Sequence, residues 1–120
     1  MNCIFCKIIE NEIPSYTIYE DDLVKAFLDI NPDSNGHCLI IPKDHTLDLE
    51  SIDKETLYHV MNIARKLTRT LTEKLNIDGV TLIQNNGDVQ EVKHFHLHLK
   101  PFYNDKQNLL PVEEEYKQLI

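Results

Sequence analysis

Residues 92–101 read Val92-Lys93-His94-Phe95-His96-Leu97-His98-Leu99-Lys100-Pro101, and their alternation decides how the rest of the chain is read. Side chains of an extended strand point to opposite faces with a period of two. His94, His96 and His98 therefore fall on one face, and Phe95, Leu97 and Leu99 on the other. The apolar face suits a core. The imidazole face does not, because each buried ring nitrogen requires a hydrogen-bond partner. A structural strand with incidental surface histidines is one reading. The other two carry chemistry: a metal site, or a catalytic site that handles phosphate.

Around this strand the chain divides by period. Residues 4–10 form a short amphipathic segment of one or two helical turns before Pro14. Residues 16–19 and 24–28 read as strands separated by the acidic turn Glu20-Asp21-Asp22. The turn-rich run Asn31-Pro32-Asp33-Ser34-Asn35-Gly36 delivers the chain into a strand over 37–41, ended by Pro42. From Asp53 to Leu75 the period changes: Leu57, Val60, Met61, Ala64, Leu67, Leu71 and Leu75 recur every three or four residues, marking one long amphipathic helix. Asp53 serves as its N-cap and residues 76–79 as its stop. Residues 79–84 form a strand, 85–91 a polar loop and 95–100 the histidine strand. Residues 101–120 are polar with scattered Leu and Tyr, a tail or a partner contact. This order predicts an α+β domain with a mostly antiparallel five-stranded sheet, one long helix over one face and a short N-terminal helix. The domain proper spans 1–103, and 104–120 is its C-terminal tail.

Composition narrows the function. The net charge of −8 argues against non-specific DNA or RNA binding, which depends on surplus Lys and Arg. It leaves room for a small phosphorylated ligand, since imidazoles and a nest of backbone amides bind phosphate locally. No apolar run approaches the ~18 residues of a membrane span. The first residues carry neither a basic stretch nor an apolar signal core, and Cys3, Cys6 and Cys38 make an odd count that suits no disulfide framework. The expected location is therefore cytoplasmic, with reduced thiols.

Cys3 and Cys6 form a CxxC pair, but no second CxxC or close HxxxH follows. A zinc site must recruit distant histidines such as His45 and His94, and ordinary partly buried thiols are the alternative. The strand histidines could instead cage a catalytic zinc. Strand alternation more often supplies two ligands than three, however, and His96, flanked by imidazoles on both sides, suits a nucleophile. The loop Gln84-Asn85-Asn86-Gly87-Asp88-Val89-Gln90 offers amides near phosphate, and its Asn-Gly also reads as a hairpin turn. Asp29, after Ala26-Phe27-Leu28, is a candidate ribose acceptor or a plain turn cap.

Four strings in order then make the chain resemble the histidine triad (HIT) family, in its branch of small nucleotide hydrolases. They are Cys3-Ile-Phe-Cys6 with Glu12-Ile13-Pro14, residues 26–32, residues 36–45, and His94-Phe-His96-Leu-His98-Leu. The likeness runs from Cys3 to about Tyr103. It implies a nucleotidyl-histidine mechanism in which His96 attacks the α-phosphorus of a purine nucleotide derivative such as a phosphoramidate or dinucleoside polyphosphate. His98 and Gln90 would hold the non-bridging oxygens, and His37 would tune the histidine strand. Asn85 would lie near the sugar–phosphate end, Asp29 would accept the ribose hydroxyls, and Ile4, Phe5, Ile8, Phe27 and Ile30 would form the purine pocket. No catalytic metal is implied. A structural zinc on Cys3, Cys6, His45 and His94 is, and so is a two-fold homodimer.

The chain departs from the family pattern before its histidines. Its loop is short, Val89 replaces a glycine, and Glu91 stands where relatives carry a hydroxyl that helps protonate the leaving group. The expectation is that Glu91 points away from the site. A purine-nucleotide-binding or scaffolding module with vestigial hydrolysis is the alternative function.

Overall fold

The computed structural model describes residues 3–120, whose elements run α1 (Ile4–Ile9), β1 (Thr17–Glu20), β2 (Val24–Leu28), β3 (Cys38–Pro42), α2 (Lys54–Leu75), β4 (Gly79–Gln84), β5 (Leu97–Phe102) and α3 (Val112–Leu119). The five strands make one antiparallel sheet in the order β1-β2-β3-β5-β4. This is the expected α+β architecture. No helix among the described residues is long and apolar enough to cross a membrane.

The sheet has two unlike faces because alternation sorts its side chains. Val24, Ala26, Leu28, Cys38, Ile40, Leu97 and Leu99 join Val60, Ile63, Ala64, Leu67 and Leu71 of α2 in the main core. Phe27, Leu39 and Ile41 point the other way and are covered by Phe5 and Ile8 of α1. The remainder of that second face, beside His98 of β5 and His96 just before it, is left open. The site occupies that opening.

Both ends of α2 are set by local chemistry. The Asp53 side chain accepts the Thr56 amide at 2.9 Å, and Asn76 closes the helix in the left-handed region at φ 55°. Met61, placed on the apolar stripe by its spacing, is 45% exposed, and Ile63 takes the core position. At the other side of the sheet Lys25, 2% exposed, donates from Nζ to the Ile8 carbonyl (3.0 Å) and to Asn11 Oδ1 (3.2 Å). An ammonium at a helix C-terminus satisfies the last carbonyls and ties α1 to β2.

Two boundaries differ from the sequence reading. The ladder of β5 begins at Leu97, because β4 ends opposite it at Gln84 and leaves residues 95 and 96 without that partner. Phe95 instead donates its amide to the Thr46 carbonyl at 2.7 Å. Pro101 lies within β5 and does not end it, since pairing with β3 stops at Leu99 and asks no amide of the proline on that side. The polar stretch after residue 103 adds an element that spacing did not reveal. Helix α3 packs on α2, buries Leu119, and sets Tyr116 5.4 Å from Tyr16, ring centre to ring centre. Its acidic first turn, Glu113, Glu114 and Glu115, lies at the favourable end of the helix dipole.

Candidate active site and metal centre

A cavity of about 490 Å³ opens on the second face of the sheet. That volume falls in the range of small-molecule sites. Ile4, Phe5, Ile8, Phe27 and Ile30 line one part of it, and Asp29, His37, His96 and His98 another. Asn85 and Glu91 reach its rim from the loop before β5. The structure thus brings together nearly all of the expected nucleotide residues. Ile30 is 71% exposed and forms an outer lip, whereas Phe5 and Phe27 are buried edge-to-face with centroids 5.8 Å apart.

Two expected placements change. Gln90 is buried away from the cavity, its Nε2 donating to the Leu47 carbonyl at 2.7 Å. The short loop winds through a single 3-10 turn at Gly87–Val89, and that turn directs Gln90 inward. Glu91, expected to point away, lines the cavity.

The histidines are ordered by hydrogen bonds whose partners dictate where each proton sits. His96 Nδ1 lies 2.8 Å from the His94 carbonyl. A carbonyl only accepts, so Nδ1 carries the proton and Nε2 keeps a lone pair. The Phe5 ring, 5.1 Å from the His96 ring and nearly perpendicular to it, holds that imidazole in place.

A second chain of bonds runs through His37. The Asp33 amide donates to His37 Nδ1 at 3.1 Å, so the His37 proton is on Nε2. His37 Nε2 is 2.9 Å from His98 Nδ1 and donates to it, which leaves the His98 proton on Nε2. Burial, with the neighbouring His96 and His37, pulls His98 down to about 4, and burial lowers His37 as well despite the Asp29 carboxylate 3.6 Å away. Both rings are therefore neutral near pH 7. The pair offers a lone pair on His96 and an N–H on His98, the complementary needs of phosphorus and its oxygens.

Lys100 is the residue that sequence reasoning missed. It follows His96 and His98 at the same two-residue step, so the alternation already placed it on this face. Its ammonium pairs with Asp33 Oδ2 at 2.6 Å on the wall of the cavity. That hydrogen bond holds the Asp33 carboxyl below the usual carboxylate range.

His94 leaves this group and joins another. Its Nδ1 lies 3.4 Å from Cys3 Sγ and 3.7 Å from Cys6 Sγ, and His45 Nδ1 lies 3.3 Å from Cys6 Sγ. A tetrahedral zinc, with Zn–S of about 2.3 Å and Zn–N of about 2.0–2.1 Å, separates sulfur from nitrogen by about 3.6 Å. The four donors fit such an ion. His94 Nε2 donates to the Pro42 carbonyl at 2.8 Å, turning the Nδ1 lone pair toward the sulfurs. Burial and the adjacent Cys3 thiol push Cys6 up to about 11, a cost that a cation at this point reverses. The strand histidines thus do not share one ligand point as a zinc cage would require. Asp29, His37 and His98 also cluster, but the two ring nitrogens at 2.9 Å share a proton and leave no room between them for an ion.

The HIT domain family model matches residues 10–105. An uncharacterized HIT-like protein of Methanocaldococcus jannaschii is 45% identical over 103 residues, covering 84% of this chain and 79% of its own length. The adenosine 5'-monophosphoramidase of Saccharomyces cerevisiae is 44% identical over 110 residues, covering 90% of this chain and 67% of its own. A crystal structure of a zinc-bound histidine triad family protein from Mycobacterium smegmatis superposes with a TM-score of 0.90 at 35% identity, covering 98% of this chain and 91% of that one.

Proposed function

This chain belongs to the HIT domain family, and from that premise we propose that it hydrolyses purine nucleotide conjugates at the α-phosphate, with phosphoramidates and dinucleoside polyphosphates as the substrate classes. The observation that carries the proposal is the His96 imidazole. Its Nδ1–H is committed to the His94 carbonyl, and its lone pair on Nε2 is free beside a cavity that suits a nucleotide. The base would lie among Phe5, Ile8, Phe27 and Ile30, and Asp29 would accept the ribose hydroxyls.

In the first step His96 Nε2 bonds to the α-phosphorus while the bond to the leaving group breaks. The leaving group departs with the electron pair and takes up a proton from water at the open cavity. The His98 Nε2–H and the Lys100 ammonium face the charge that builds on the phosphoryl oxygens. In the second step water attacks phosphorus and gives up a proton to solvent, the bond to His96 breaks with its electron pair returning to Nε2, and a nucleoside monophosphate is released. Each step needs only water and side chains already at the cavity. The metal centre supports a separate proposal: zinc on Cys3, Cys6, His45 and His94 pins α1 against the sheet and contributes folding free energy. Holding α1 in place also holds Phe5 against His96.

A homodimer is proposed on the opposite side of the molecule. Tyr58 and Met61 of α2 and Leu82 of the edge strand β4 are 75%, 45% and 40% exposed around a shallow apolar depression, which a second copy would cover.

Glu91 at the cavity supports a second reading, a nucleotide-binding module with slow turnover. The family resemblance puts a hydroxyl at this position to protonate the leaving group, and this chain has a carboxyl there instead. Release of AMP from an adenosine phosphoramidate by the wild-type protein and by His96→Ala, each with and without chelator, separates the readings. We expect turnover in the wild type, its loss in the variant, and retained AMP binding in both. A wild-type protein that binds AMP without releasing it from the conjugate establishes the binding module instead.

A further inference from the structure

The C-terminal stretch lies mostly beyond the residues matched by the family model, yet it grips the turn that carries His37. The Tyr103 hydroxyl donates to the Asn35 carbonyl at 2.7 Å, the Asn35 side-chain amide donates to the Asn108 carbonyl at 2.9 Å, and the Leu110 amide donates to Asn35 Oδ1 at 2.9 Å. One residue further on, the Gly36 amide donates to Oε1 of Glu115 in α3.

Glu115 is an expensive choice for that position. It is 1% exposed, and its Oε2 has no hydrogen-bond partner among the described residues. Burial pushes its carboxyl above the usual carboxylate range. An apolar side chain of similar volume would fill the space between α3 and the turn without desolvating a carboxyl. What glutamate adds is an acceptor for the Gly36 amide, which would otherwise be buried and unpaired.

That amide belongs to the Asn35–Gly36 peptide unit, one unit before the peptide that enters His37. Within the same turn the His37 amide donates to the Ser34 carbonyl and the Asp33 amide to His37 Nδ1, each at 3.1 Å. We infer that Glu115 is a positioning residue for the histidine relay: through the Gly36 amide it holds the turn in which the Asp33 N–H fixes the His37 tautomer and so directs the His98 Nε2–H into the cavity. The inference rests on the reading that His98 faces the phosphoryl oxygens. Tyr103 and Glu115 hold the two polar groups of the Asn35–Gly36 peptide, its carbonyl and its N–H.

The test uses the full chain with Glu115→Met, which keeps volume but removes the acceptor, and Glu115→Gln, which keeps an acceptor oxygen. ¹⁵N NMR of the imidazoles reports the tautomers of His37 and His98 whether or not any substrate is turned over. In Glu115→Met we expect the separate protonated and unprotonated nitrogen signals of both rings to move toward averaged positions. We also expect kcat for AMP release to fall by roughly a hundredfold, the low end of what positioned acid–base groups contribute. AMP affinity should change less than kcat, because the apolar pocket under α1 lies on the other face of the sheet from α3. Glu115→Gln should restore both signals and kcat. A folded Glu115→Met with wild-type nitrogen signals overturns the inference, as does a fall in kcat that leaves the signals unmoved. Should Glu115→Met not fold, Glu115→Asp, one methylene too short to reach Gly36, must show the displaced signals; wild-type signals there overturn it equally. If the wild-type protein proves inactive, the proposed hydrolysis fails while the nitrogen signals still decide this inference.

Discussion

Replacing Gly36 by alanine is the sharpest test of how the His37 turn is built. Gly36 has φ +91°, a conformation that L side chains rarely adopt, and holding alanine there costs about 1–2 kcal/mol. The added Cβ would also stand 2.8 Å from Leu75 Cδ1, 3.0 Å from Leu71 Cδ2 and 3.2 Å from Pro101 Cγ. Leu75 is partly exposed and can yield, but Leu71 is 1% exposed in the core and the Pro101 ring is buried within a strand. Overpacking of this kind costs about 1–3 kcal/mol. The two effects together predict a loss of roughly 2–5 kcal/mol. Gly87 supplies the control, because it has φ +69° and nothing within 4 Å of an added Cβ. Gly87→Ala should therefore show the backbone cost alone, about 1–2 kcal/mol. The assay is urea unfolding of both variants beside the wild type. With a slope of about 1–3 kcal/mol/M, a difference of ~2 kcal/mol separates their midpoints by roughly 1 M. Gly36→Ala no less stable than Gly87→Ala would refute the reasoning, since contact with Leu71 and Pro101 would then count for nothing.

Other outcomes follow from charge and metal. Burial works to raise the Asp21 carboxyl, but hydrogen bonds from Tyr19, His59 and the Val24 and Leu23 amides outweigh it and leave its pKa well below the usual range. A depressed carboxylate contributes stability above its unfolded pKa near 4 and loses it as pH falls through the folded value. Asp21→Asn should therefore cost about 2 kcal/mol at pH 7, with the gap to wild type closing in unfolding curves taken below about pH 4. His98, held at about 4 in the folded chain, takes up a proton near 6.5 once unfolded, so its contribution to stability falls as pH drops from 6.5 toward 4. A ¹⁵N titration should show the ring neutral down to about pH 4. Adding zinc to metal-free protein should release at least one proton near pH 7, because the Cys6 thiol sits at about 11 without a cation. Cys6→Ser should reduce that release in a weakly buffered titration and lower Tm.

The sequence by itself determined whatever depends on a repeating local geometry. Period two sent Phe95, Leu97 and Leu99 into the core and His96 and His98 to the other face, and the same step also carried Lys100 there. Period 3.6, with Asp53 and Asn76 at its ends, determined α2. The four short strings identified the family. Helix α3 escaped because Val112, Tyr116 and Leu119 are too few to show a stripe and flank the acidic run 113–115, whose Glu115 is buried against expectation. The CxxC pair was ambiguous until folding carried His45 and His94 to it across 39 and 88 residues of chain from Cys6. The inward turn of Gln90 and the cavity-lining position of Glu91 depend on how one short loop winds. Proton placement is the furthest from the sequence. His96 and His98 look alike as residues, but one faces a carbonyl that can only accept, and the other faces a histidine whose proton was assigned by the Asp33 amide. Only tertiary structure chooses those partners, because a tautomer is fixed by whichever group meets the second ring nitrogen.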